Sequence, residues 1–91
     1  MGSLCRQMAR SLSPDQELGQ ALRQLREARD LTQEQVSQAA DLTLGAYGRI
    51  ERSEVAPAWP TVRAIARGLG ISLKELGAEV DRQGHGSERD R

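Results

Sequence analysis

The sequence predicts an all-α fold, a compact five-helix bundle, on three observations. Apolar residues recur at i, i+3, i+4 and i+7 in successive segments, and each segment is bracketed by residues that start or stop helices. With no Phe, one Trp and one Tyr in 91 residues, the interior has to be filled by Leu, Ile, Val and Ala, which pack well between helices. A chain of this length supports one modest core and no second domain. The domain is set at residues 13–80, with 1–12 read as a flexible N-terminal arm and the Gly-rich, charged 81–91 as a flexible tail.

The elements follow in order. Ser13, Pro14 and Gln16 supply an N-cap, a first-turn proline and a capping box, and Leu18, Ala21, Leu22, Leu25 and Ala28 form the inward stripe of helix 1. Thr32 with Gln35 repeats the capping box for a short helix 2, whose inward residues are Val36, Ala39 and Ala40 and which ends near Asp41. Thr43 caps helix 3, with Ala46, Tyr47 and Ile50 inward, and the stretch Ser53 to Pro57 breaks the pattern. Pro60 opens helix 4, carrying Val62, Ile65, Ala66 and Leu69, and Gly70 suits the left-handed residue that closes it. Ser72 and Glu75 form a third capping box before helix 5, which directs Leu73, Leu76 and Val80 inward. No internal repeat is present.

Several function classes are excluded at this stage. One His on the tail, one distant Cys and no paired carboxylates leave no acid, base or nucleophile set, so no enzyme is expected. A single Cys and a single His make neither a disulfide nor a zinc site, and no metal or other cofactor is expected. No apolar run approaches the roughly 20 residues that span a bilayer, and the N-terminus lacks the layout of a secretion signal, which predicts a cytoplasmic protein with no membrane partner. The Gly68 to Gly70 sequence is a helix end rather than a phosphate loop, because no strand precedes it.

What remains is Thr32 to Arg52, two short helices joined by a tight turn. The second helix carries Leu44, Gly45, Gly48 and Arg49 on the face expected to meet solvent, an arrangement that delivers one helix end-on into the major groove of DNA. Charge argues mildly the other way. The 13 Lys plus Arg cancel 13 Asp plus Glu, and residues 31–60 hold two Arg against four acids, so affinity has to come from a few placed arginines and is expected to be salt-sensitive.

The series LTQEQVSQAADLT, YGRIERSE, Pro57, Thr61, IARGLGIS and KEL, from about Leu18 to Leu76, resembles the phage-repressor and Cro-like helix-turn-helix family, also called the XRE family. The resemblance implies a five-helix repressor-like domain, dimeric binding to double-stranded operator DNA, and transcriptional control, most simply repression. Residue by residue, it implies a backbone or base contact at Gln33, base reading at Leu44, Gly45 and Arg49, and a structural ion pair between Arg26 and Glu51. The chain departs from the family pattern at Asp41 and Ser53, where Gly is usual, and at Ser37, where Ala is usual.

The residues themselves support this set. Arg49 can address guanine O6 and N7, Leu44 a thymine methyl, and the bare Gly45 and Gly48 allow close approach at a cost to helix stability of about 2 kcal/mol relative to Ala. Thr32, Gln33 and Thr43 sit at helix N-termini suited to phosphate, and Arg52 lies a turn below Arg49. Arg6 and Arg10 read as a solvated tail, and Trp59 as a core or lid residue. Helix 5, near Leu73, Leu76 and Val80, is the expected homodimer surface. An alternative is that Leu44 and the glycine-bared face hold a protein partner, as an interaction module or antitoxin-like subunit does.

Overall fold

The computed structural model describes residues 14–85, as five helices: α1 (Pro14–Ala28), α2 (Gln33–Ala39), α3 (Leu44–Glu51), α4 (Trp59–Leu69) and α5 (Leu73–His85). The expected N-cap at Ser13, the arm at residues 1–12 and the end of the tail lie outside these residues. Helix α1 packs chiefly on α5, while α2 packs on α3 and α4, so α3 is held from two sides. The core between them is aliphatic apart from Tyr47: Ala21, Leu22, Val36, Ala40, Ile50, Ile65, Ala66, Leu69, Ile71 and Leu76 are all buried with it. Each large side chain so removed from water contributes about 1.5–3 kcal/mol.

The helix starts are those the sequence specifies. The Thr32 hydroxyl accepts from Gln35 N at 3.0 Å and the Gln35 side chain accepts from Thr32 N at 2.8 Å, a reciprocal capping box. Ser72 and Glu75 repeat it, at 3.1 and 2.9 Å. Thr43 accepts from Ala46 N at 3.0 Å. Helix α4 begins one residue before Pro60, with Ala58 at its N-cap and no side-chain cap bond.

The helix ends share one device. After α1, α2, α3 and α4 a residue with positive φ is followed by a backbone N–H that reaches five residues back: Leu31 to Arg26, Leu42 to Ser37, Glu54 to Arg49 and Ile71 to Ala66. The positive-φ residues are Asp30, Asp41, Ser53 and Gly70. This is the Schellman closure, in which the residue after the left-handed one usually tucks an apolar side chain back on its helix. Leu31, Leu42 and Ile71 do so, packing on or in the core. Three of the four closures use a residue with a Cβ, each at a steric cost of order 1 kcal/mol, least for Asp.

Four expectations are corrected. Ala28 is exposed and Gly19 is buried, because the inward arc of α1 is rotated toward Gly19 and Arg26, where it meets the end of α3. Ala39 is exposed and Ser37 takes the inward place, its hydroxyl donating to Glu34 O at 2.8 Å so that no polar group is stranded. Trp59 is 61% exposed, neither core nor lid. Finally, α5 does not stop at Val80 but continues to His85. The buried Glu79 carboxylate accepts from Arg82 and Gln83 on the following turn, which carries the helix into the segment read as tail.

Candidate nucleic-acid interface

The centre of the site is a buried carboxylate. Glu51, in the last turn of α3, accepts from Arg26 of α1 through Nε at 2.7 Å and through a terminal nitrogen at 3.2 Å. It also accepts from the Tyr47 hydroxyl at 2.6 Å and from Gln33 Nε2 of α2 at 2.9 Å. Arg26 donates once more, to Leu31 O at 2.9 Å, so the same guanidinium ties the α1–α2 corner. Burial pushes the Glu51 carboxyl up, but the hydrogen bonds from Arg26, Tyr47 and Gln33 outweigh it and hold the group below its usual range. Burial, and then the bond to Glu51, raise the Tyr47 hydroxyl well above its ordinary value. The Arg26–Glu51 pair implied by the resemblance is therefore present between α1 and α3, and Gln33 ties α2 to the same carboxylate.

This network fixes which face of α3 is free. Tyr47, Ile50 and Glu51 turn inward, and Leu44, Gly45 and Arg49 turn out, with Leu44 50% exposed and open space around Gly45. Arg49 is exposed and makes no side-chain hydrogen bond or ion pair with a described residue. Thr43 stands at the N-cap with its hydroxyl committed to Ala46, and Thr32 is committed to its own capping box.

Gly48 is corrected: it is buried, not part of the solvent face. A Cβ there would lie 2.9 Å from an Arg52 guanidinium nitrogen and 3.8 Å from Gln33 Oε1. The missing side chain thus makes room for Arg52 to lie back along α3, while the Gln33 side chain sits at ordinary contact distance. Gln33 is half-buried and holds Glu51, so it is part of the frame as well as the rim. Arg52 is exposed but pairs with Glu54, Nε to Oε2 at 2.8 Å, a surface interaction that solvent screens and that is easily exchanged for another partner. That bond from Arg52 is the main reason the Glu54 carboxyl sits below its usual range.

Of the eight residues singled out by sequence, Thr32, Gln33, Thr43, Leu44, Gly45, Arg49 and Arg52 reach the surface around α3, and Gly48 lies beneath them. Sequence reading missed Tyr47 as a polar member of the network, visible in principle as a hydroxyl one turn from Glu51. It also missed Gly19. A Cβ there would come within 2.6 Å of Glu51 O and 3.0 Å of Ile50 O, so α1 reaches the end of α3 only because this residue is bare. Among the described residues no group of three or more His, Cys, Asp or Glu is placed to hold a metal, and no helix is long and apolar enough to cross a membrane.

Two short helices at a sharp corner, the second presenting its first turn to solvent, are the geometry that the family comparison matches. The family model described as a helix-turn-helix domain matches residues 17–81. The chain belongs to the helix-turn-helix domain family. Its fold is also that of two crystal structures of the clp gene regulator ClgR from Corynebacterium glutamicum. One aligns with a TM-score of 0.74 and 21% identity over 78% of this chain and 92% of that chain. The other aligns with a TM-score of 0.78 and 18% identity over 88% and 86%. No curated protein matches the chain. Residues 40–43 form the turn between α2 and α3, in which Asp41 has φ 62°.

Proposed function

We propose that this helix-turn-helix protein is a sequence-specific, double-stranded-DNA-binding transcriptional regulator that inserts the N-terminal part of α3 into the major groove. The observation that carries the reading is the outward first turn of α3, where Leu44 and Gly45 stand beside an exposed Arg49, whose charge also acts on the Glu54 carboxylate, while Glu51 pins the helix from behind. Arg49 addresses a guanine edge and Leu44 a thymine methyl, and bare Gly45 admits the backbone close to the bases. Thr32, Gln33 and Thr43 set the docking register against phosphates, and Arg52 meets a phosphate after leaving Glu54. ClgR, whose fold this chain shares, is a clp gene regulator, which supports the same class of activity. The family resemblance supports action as a cytoplasmic homodimer on two half-sites about 34 Å apart, repressing by occupancy.

Selection of bound duplexes from a random pool by the purified protein tests this directly. The expected outcome is an enriched two-fold-related site. Arg49→Ala then relaxes base preference at one position by about 1–3 kcal/mol, whereas Arg52→Ala weakens all duplexes alike. A wild-type protein that enriches no sequence at low salt refutes the reading. The half-exposed Leu44 favours a second reading, a protein-interaction module or antitoxin-like subunit holding a protein partner on the same face. Recovery of a stoichiometric protein complex lost in Leu44→Ser, with no duplex enriched, supports that one instead.

A further inference from the structure

Residues 31–60 hold two basic residues, Arg49 and Arg52, and the charges of both act on one acid, Glu54. That acid accepts from Arg52 Nε at 2.8 Å, and a terminal nitrogen of the same guanidinium stands 3.5 Å from its other oxygen. The backbone sets this arrangement. Left-handed Ser53, at φ 65°, turns the chain so that Glu54 N donates to Arg49 O at 2.8 Å, which anchors Glu54 at the last turn of α3. From the other side Arg52 is laid back over Gly48, where an added Cβ would lie 2.9 Å from its guanidinium. Both partners are therefore held in place, and both side chains are more than half exposed.

We infer that Glu54 is an internal stand-in for a DNA phosphate, which competes with duplex for Arg52 and thereby lowers the affinity of the domain. The inference rests on the major-groove reading proposed above. A carboxylate and a phosphate each offer a guanidinium two oxygens in the same fork, so one takes the other's place without moving the arginine far. Every duplex that recruits Arg52 must first separate it from Glu54. Because the pair is solvent-exposed, the exchange needs no unfolding and its cost is that of a surface ion pair. Glu51, the other acid of α3, plays no such part, since it is buried and committed to Arg26, Tyr47 and Gln33. The acidic balance of residues 31–60 thus has two origins, one acid that builds the frame and one that restrains the binding face.

A double-mutant cycle on the full-length protein tests this, with affinity for the selected duplex read by fluorescence anisotropy at one fixed salt concentration. Glu54→Gln removes the competing charge and keeps the shape. It should bind about 2–5-fold more tightly than wild type, the factor that an exposed ion pair represents, with its thermal transition intact. In an Arg52→Ala background the same substitution should give little or no gain, because no arginine remains to be released. Unchanged affinity in Glu54→Gln overturns the inference. A gain of equal size with and without Arg52 overturns it too, by showing that Glu54 merely repels the polyanion. Both results are obtained with a selected duplex in hand and leave the major-groove reading standing, whereas a wild-type protein that enriches no duplex removes that reading and the inference together.

Discussion

Replacing Glu51 removes the acceptor on which three helices converge, and the size of the effect follows from what is left behind. In Glu51→Ala the Arg26 guanidinium, only 13% exposed, loses both of its bonds to the carboxylate and keeps one to Leu31 O and a 4.0 Å contact with the half-exposed carboxylate of Glu27. The Tyr47 hydroxyl and the Gln33 amide lose theirs too. Removing one partner of a buried pair costs about 3–5 kcal/mol when the surviving charge is left uncompensated, and the distant, half-exposed Glu27 places this variant toward the lower end of that range. Small domains hold only about 5–10 kcal/mol in total, so the variant should be close to unfolding at room temperature. Glu51→Gln keeps the shape and one oxygen but turns an NH₂ toward donors, and should cost about 2 kcal/mol.

Acid separates the two causes. The folded-state pKa of Glu51 lies below its ordinary value of 4.5, so its contribution is complete above about pH 4.5 and is lost as pH falls through the folded value. Urea unfolding of wild type and Glu51→Gln between pH 7 and pH 3 should therefore give a stability gap that narrows on the acid side. Tyr47→Phe, which removes one donor and no charge, should fall between wild type and Glu51→Ala. A Glu51→Ala protein within 1 kcal/mol of wild type, with an unchanged dependence on urea, would refute the reasoning by showing that Arg26 reaches water at little cost.

Gly45→Ala should stabilise the fold by about 0.8–1 kcal/mol, since a Cβ there meets nothing and Ala is the better helix former. Operator affinity should fall in the same variant, so a rise in melting temperature paired with unchanged binding would count against close backbone approach. Gly19→Ala should destabilise by about 1–3 kcal/mol, because the added methyl runs into the carbonyls of Ile50 and Glu51; calorimetry on the purified variant checks it. Asp41→Gly should gain about 0.5–1 kcal/mol by relieving a left-handed residue that bears a side chain; an unchanged or lower urea midpoint would contradict it.

Local chemistry was the readable part of the sequence. The capping boxes of Thr32 and Ser72, the cap at Thr43 and the closure at Gly70 are written within four residues of where they act, and all four are present. The left-handed Asp30 and Ser53 give a weaker signal, since most residues with those side chains are not at positive φ. What lay beyond reach depended on neighbours distant in the chain. Gly48 looks outward on a helical wheel until Arg52 and Gln33 close over it. Ala28 and Ala39 sit at the margins of their stripes, and which margin is buried depends on where the next helix lies. Trp59 has the composition of a core residue and a position at a groove edge, a distinction that hydrophobicity alone does not contain. Beyond Val80 the polar sequence continues as a helix because Glu79 gathers Arg82 and Gln83 on one side.

The link from Gln33 to Glu51 has a consequence for how such a domain changes its target. Any new side chain at position 33 must either satisfy that buried oxygen or leave it without a donor, so innovation there is taxed in stability. Positions 44, 45 and 49 carry no such obligation, and replacements at them should shift folding free energy by little more than about 0.5–1 kcal/mol. Drift toward a different cognate site is therefore open along one rim of the helix and closed along the other, a division of labour that a deep mutational scan scored separately for abundance and for occupancy would make visible.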